Sequence, residues 1–73
     1  MWTEKELREM IEMVTIAIPR EKDAHRFYLQ AAEKARTEGA RKMLLSMAQQ
    51  EQTHQHMLKD LLKSLQNELE ELS

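Results

Sequence analysis

The sequence predicts an all-α fold: a long antiparallel helical hairpin that dimerises into a four-helix bundle. Three observations carry this prediction. Apolar residues recur at helical spacing through both halves of the chain, and one glycine, Gly39, separates the halves. The composition, with one proline and 33% charged residues, is typical of long helices. We therefore expect a single helical-hairpin domain over residues 1–73.

The first helix is predicted over about residues 3–36. Thr3 followed by Glu6 is a capping-box pattern, and Trp2 can act as the hydrophobic staple. Pro19 lies inside this segment, where it removes one backbone hydrogen bond. Because the apolar stripe keeps its phase across Pro19, we expect one helix with a kink there. That stripe consists of Leu7, Met10, Ile11, Val14, Ala17, Ile18, Ala24, Tyr28, Ala31 and Ala32.

A turn is predicted at about residues 37–39, because a glycine between two periodic segments is typical of a helix end. The second helix then follows over about residues 40–71, and Thr37 can cap it. Its apolar stripe consists of Leu44, Met47, Ala48, Leu58, Leu61, Leu62 and Leu65.

The chain is short: 73 residues bury little surface, so a staple, a metal or a partner chain is expected. It has no cysteine, which excludes a disulfide and a thiolate metal site. Two antiparallel helices leave much of each apolar face in water, whereas two such hairpins can close a bundle of four. A two-fold homodimer, alone or in multiples, is the simplest closure.

Three polar residues interrupt the two apolar stripes. Glu21 lies in the first stripe, and Glu51 and His54 form a Glu-x-x-His pattern inside the second. Residues three positions apart share one helix face, with Cβ atoms about 5–6 Å apart. Because charged groups in a core stripe are costly unless paired or metal-bound, we expect all three to bind metal. A dimer would supply four carboxylates and two imidazoles, a set that favours a pair of iron or manganese ions, with zinc as a substitute.

Several segments together resemble the rubrerythrin branch of the ferritin-like superfamily: EKDAHRFY at 21–28, AAEKA at 31–35 and EQTH at 51–54. Glu21 and Tyr28, seven residues later, resemble that family's first ligand and its supporting tyrosine. Glu51 and His54 resemble its second and third ligands. The chain supplies half of a ferritin-like bundle, which is similar to the encapsulated ferritins that build a ferroxidase site between two subunits.

The resemblance implies oxidation of Fe²⁺ by dioxygen or peroxide at a di-iron centre, for iron handling, storage or peroxide detoxification. Glu21, Glu51 and His54 would be its catalytic and metal-binding residues, with Glu51 bridging the ions. A protein shell around the oligomer is then a further expected partner. Two features depart from the pattern: rubredoxin-type cysteines are absent, and residues 66–73 are typical of an acidic helix end rather than an encapsulin-targeting tail.

Two residues near the predicted ligands have open roles. Tyr28 either donates its hydroxyl to a ligand carboxylate or is a core aromatic. His25, one turn after Glu21, lines the approach to the site, or binds an extra ion, or is simply an exposed or half-buried histidine.

Charge and hydropathy exclude several other functions. The net charge is −2 without a basic patch, which argues against nucleic acid as a partner. The most apolar run, residues 13–18, is too short for a membrane span. The first residues lack the order of a secretory signal, so we expect a cytoplasmic location, either free or inside a protein nanocompartment.

Two functions are alternatives to Fe²⁺ oxidation. One is a metal-binding protein without turnover, and the other is a non-enzymatic assembly module whose polar layer sets the helix register.

Overall fold

A computed structural model describes residues 1–72 of the chain and shows two α-helices and no β-strand in that range. Helix α1 spans Glu4–Lys34 and helix α2 spans Glu38–Leu72. The two helices pack against each other in a rod with extents of 54 × 14 × 14 Å. The predicted all-α hairpin is therefore confirmed. Ser73, the last residue of the predicted domain, lies outside the described residues.

The start of α1 has the capping box that the sequence predicted. The backbone N–H of Glu6 donates to Thr3 Oγ1 at 3.1 Å, and the backbone N–H of Thr3 donates to Glu6 Oε1 at 2.9 Å. Trp2 borders a shallow depression together with Leu7 and Leu72, at the open end of the hairpin. Two backbone donors that a helix start leaves unpaired are thus satisfied by side chains.

Helix α1 continues through Pro19 without a break. Proline has no N–H, so the carbonyl of Thr15 lacks its usual helical partner. Pro19 is exposed, and water can reach this part of the helix. The hydroxyl of Thr15 also donates to the carbonyl of Ile11 at 2.7 Å, a bond that often accompanies a helix bend.

The connection between the helices occupies residues 35–37, not the predicted 37–39. Thr37 accounts for the difference, because it caps α2 one residue before the helix begins. Its Oγ1 accepts from the backbone N–H of Ala40 at 3.1 Å, and its carbonyl accepts from Arg41 at 3.1 Å. Gly39 therefore lies in the first turn of α2 and has no positive φ angle. The glycine that we took for the turn belongs to a helix.

The seam between the helices has a different composition at its two ends. A cluster of Leu7, Val14 and Leu65 fills the open end. Small residues, Ala32 and Ala48, are buried toward the connection. The cluster is extended by partly buried neighbours: Met10, Ile11, Ile18, Leu58, Leu62 and Leu69.

One flank of the hairpin remains apolar and exposed. Large apolar side chains lie in water there on both helices: Met13, Met47, Met57 and Leu61. Their spacing places them beside the seam rather than opposite it. Within residues 1–72, neither helix contains a stretch long and apolar enough to cross a bilayer.

Candidate metal centre

The three polar residues of the predicted stripes meet halfway along the hairpin. Glu21 projects from α1, and Glu51 and His54 project from α2. Each offers a ligand atom, and these atoms all lie within 4.8 Å of one another. His54 Nδ1 is 3.7 Å from Glu21 Oε2 and 3.9 Å from Glu51 Oε2. The fold therefore brings together all three residues that the sequence singled out.

These separations suit a bound cation. Two ligand atoms that each lie about 2.1 Å from one ion are separated by about 3.0–3.6 Å at the usual coordination angles. The distances from His54 Nδ1 are slightly longer, so a small side-chain movement would bring the three atoms onto one ion. Carboxylate and imidazole ligands without a thiolate suit iron or manganese, and zinc can use the same set.

Burial divides the three side chains. The side chains of Glu21 and Glu51 are only 27% and 21% exposed, whereas that of His54 is 55% exposed. The Oε2 atom of Glu21 is buried and has no hydrogen-bond partner. Such an atom costs free energy unless another group satisfies it, and a metal ion would do so.

The electrostatics of the Glu21–Glu51 pair also favour a bound cation. A proton shared with the carboxyl group of Glu51 raises the pKa of Glu21 above its ordinary value. Burial and repulsion from the charge of Glu51 raise this pKa further, while His54 lowers it. Two adjacent carboxyl groups cannot both ionise at low cost. A divalent cation between them would remove the repulsion, so the pair is a better cation site than an isolated carboxylate.

The sequence matches the rubrerythrin family over residues 12–73, a range that includes all three residues. This chain belongs to the rubrerythrin family. No curated protein and no solved structure gives a significant match. Family membership indicates metal binding of the di-iron carboxylate type, and the Glu21–Glu51–His54 cluster provides the corresponding ligand types.

Tyr28 of this rubrerythrin-family chain is half-buried. Its ring contacts Phe27 edge-to-face, with the centroids 5.6 Å apart and an interplanar angle of 72°. Because Phe27 is 64% exposed, this contact lies at the surface and supports neither of the two roles. Hydrogen bonding of the Tyr28 hydroxyl to a ligand carboxylate stays a prediction.

His25 makes a contact that sequence reasoning missed. Its Nδ1 lies 2.6 Å from the carbonyl oxygen of Ala48, across the seam. His25 is not part of the Glu21–Glu51–His54 cluster. Its ring lies against the backbone of α2 instead. Gln55, one turn after Glu51, is a second half-buried polar residue that we overlooked, although its spacing alone would place it on this face.

The exposed edge of the cluster opens onto the apolar flank. Glu21 and His54 border a shallow depression of about 490 Å³, and its other walls are Met57, Leu58 and Leu61. One chain thus offers three candidate ligands at the margin of an uncovered apolar surface.

Proposed function

We propose that this chain oxidises Fe²⁺ at a di-iron centre formed by two copies of the chain. Glu21, Glu51 and His54 of each copy would hold the two ions, with Glu51 as the ligand common to both. The observation that carries this proposal is the meeting of Glu21, Glu51 and His54 around a buried carboxylate oxygen that has no partner. Membership of the rubrerythrin family supports iron as the metal.

The second copy follows from what one chain lacks. Three ligands do not fill the coordination sphere of iron, and His54, the most exposed of them, lies beside the apolar side chains of Met57 and Leu61. A two-fold axis near His54 would cover this edge and complete a four-helix bundle. It would also bring four carboxylates to two divalent ions, so the charges of ligands and metal balance.

The side chains have distinct tasks at such a centre. A hydrogen bond with Glu51 raises the pKa of Glu21, so the metal-free protein holds a proton on this pair more tightly than a free carboxyl group would. Binding of a cation displaces this proton, since a carboxylate coordinates in its ionised form. His54 binds as the neutral imidazole. The apolar flank, once covered by the second copy, excludes bulk water from the ligands.

The reaction transfers two electrons. Two Fe²⁺ ions lose one electron each, and dioxygen with two protons becomes hydrogen peroxide; alternatively, hydrogen peroxide with two protons becomes two water molecules. The first reaction serves iron handling and the second serves peroxide removal. Mineral storage needs an enclosed space. That role therefore requires a protein shell around the oligomer, which would form a nanocompartment in the cytoplasm.

Anaerobic loading with Fe²⁺ followed by oxygen tests the proposal. The wild type should develop ferric absorbance within a single turnover, and Glu51→Ala and His54→Ala should slow it to the rate of free Fe²⁺. His56→Ala is the matched control, because His56 is exposed and lies two positions from His54. Turnover by Glu51→Ala and His54→Ala at the wild-type rate would show that the site is wrong.

Metal binding without turnover is the second candidate, since the same cluster supports it. Native mass spectrometry with and without chelator separates the alternatives. Two ions per dimer with ferric absorbance after oxygen supports the ferroxidase. Two ions without oxidation supports a metal-binding protein. A metal-free dimer of unchanged stability supports an assembly module in which the polar layer only sets register.

A further inference from the structure

We propose that His25 is a positioning residue for the metal centre. By donating its Nδ1–H to the backbone carbonyl of Ala48, at 2.6 Å, it holds α1 and α2 in the alignment that brings Glu21 to Glu51 and His54. This role rests on the proposed metal centre, because it concerns the geometry of those ligands.

The position of this bond suits the role. His25 follows Glu21 by one turn of α1, and Ala48 precedes Glu51 by three residues of α2. The bond therefore joins the two helices one turn away from the ligands. The hydrogen bond between Arg8 and Glu4, by contrast, joins residues within one helix and cannot align one helix with the other.

Apolar packing along the seam discriminates poorly between neighbouring alignments. The core of α2 is a row of leucines at 58, 62, 65 and 69, so a slide or rotation exchanges one aliphatic contact for another. The hydrophobic effect has no direction. A metal centre requires ligand positions within about 0.5 Å, which a directed hydrogen bond can supply and a leucine row does not.

The chemistry of the contact defines the donor. A carbonyl oxygen only accepts, so Nδ1 of His25 carries the proton. The carbonyl of Ala48 has two lone pairs and can serve the helical bond to Gln52 and the bond from His25 together. Ala48 is only 1% exposed, and its small side chain lets the imidazole approach the backbone of α2.

Three variants isolate the donor from the bulk of the ring. His25→Leu fills the space without a donor. His25→Asn places an amide N–H where Nδ1–H was, because both nitrogens are bonded to Cγ. His56→Leu is the control, since His56 is exposed. Co²⁺ is the probe: its visible absorption bands report both occupancy and coordination geometry, under anaerobic conditions and without turnover.

We expect His25→Leu to weaken Co²⁺ binding by about 10- to 100-fold and to change the absorption bands, as loss of a residue that orients a ligand does. Thermal unfolding of the metal-free protein should change little. His25→Asn should restore both the affinity, to within about threefold, and the wild-type bands. His56→Leu should match the wild type throughout.

Each other outcome decides against the role. Unchanged affinity and bands in His25→Leu would overturn it, and so would a loss that His25→Asn fails to restore. If His25→Leu does not fold, His25→Phe replaces it; failure of both, with a folded His25→Asn, would show a general structural need rather than positioning. A folded wild type that binds no Co²⁺ would instead reject the metal centre itself.

Discussion

The seam between the helices differs in composition between the open end of the hairpin, away from the connection, and its middle. At the open end, Leu7, Val14 and Leu65 form a buried apolar cluster. In the middle, Glu21 and Glu51 occupy the same stripes and leave a buried carboxylate oxygen without a partner. The first arrangement releases free energy by removing apolar surface from water, and the second costs free energy in the metal-free chain.

This difference separates a part of the chain that stabilises the fold from a part whose residues apolar packing does not explain. Replacing Glu21 and Glu51 with leucine would continue the apolar row, so their presence needs another explanation than folding. The middle also opens onto the uncovered flank through His54, whereas Leu7 and Leu65 are closed off. We expect changes at the open end to alter unfolding, and changes in the middle to alter metal binding.

The largest stability effect should come from the open end. Leu7 is 1% exposed, and Leu7→Ala should lower the free energy of unfolding by about 3 kcal/mol through lost burial and the cavity that remains. Urea unfolding in chelator, at one fixed protein concentration, measures this. Leu45→Ala is the control, because Leu45 is 39% exposed and should cost much less. Equal losses would show that the open end is not the main core.

Metal should stabilise through the middle. With free Co²⁺ at about 100 times its dissociation constant, the free energy of unfolding should rise by about 2.7 kcal/mol. Chelator should reverse this gain, and Glu51→Gln should abolish it, because the amide cannot replace an anionic ligand. Leu7→Ala should keep the full gain from its lower starting point. If Leu7→Ala loses the gain as well, the two regions are not separable.

A smaller effect concerns pH. The pKa of Glu21 is raised by the shared proton with Glu51 and by burial, so the folded chain holds this proton more tightly than the unfolded chain. The resulting stability is fully present below the ordinary pKa of about 4.5 and is lost as pH rises through the raised value. Metal-free Glu21→Gln should lack this decline. We therefore expect the urea midpoint of the wild type, measured in chelator, to fall relative to that of Glu21→Gln as the pH rises above about 4.5.

Parallel midpoints of the wild type and Glu21→Gln across that range would mean that Glu21 titrates as it does in the unfolded chain. Glu21 and Glu51 would then not share a proton. Repulsion between their carboxyl groups would no longer explain why this polar layer costs free energy in the metal-free chain. Glu6, at the cap next to the open end, has a pKa that is lowered by its hydrogen bonds with Thr3, but it is common to both proteins and cancels in this comparison.

Helical periodicity was sufficient to predict that Glu21, Glu51 and His54 lie together. Residues three, four or seven apart share a face, so Glu21, Glu51 and His54 could be assigned to the seam from spacing alone. The cap formed by Thr3 and Glu6 was equally predictable, because it is local and its partners are three residues apart.

Features that depend on how one helix lies against the other could not be read in this way. The bond from His25 to Ala48 joins residues 23 positions apart, and a backbone carbonyl carries no sequence signal. Gly39 misled us because the hydroxyl of Thr37 accepts from the N–H of Ala40, so α2 begins at Glu38, before the glycine. A glycine permits a turn without requiring one.

The smallest predicted effect lies at the cap of α1, next to the apolar open end. Thr3→Ala removes the acceptor for the N–H of Glu6 and should lower the free energy of unfolding by about 1 kcal/mol. Thr53→Ala is the matched control: Thr53 is exposed in mid-α2 and bonds only back to Gln49, so this change should stay within about 0.5 kcal/mol. Urea unfolding measures both.

Co²⁺ affinity should be the same in Thr3→Ala and in the wild type, because the cap and the metal ligands share no contact. Thr53, by contrast, lies between Glu51 and His54 in sequence but on another face of α2. If Thr3→Ala weakened Co²⁺ binding as much as it weakened folding, the stability of the open end would be coupled to metal binding in the middle. The middle would then depend on the whole seam, and alignment by His25 alone would be insufficient to hold the centre.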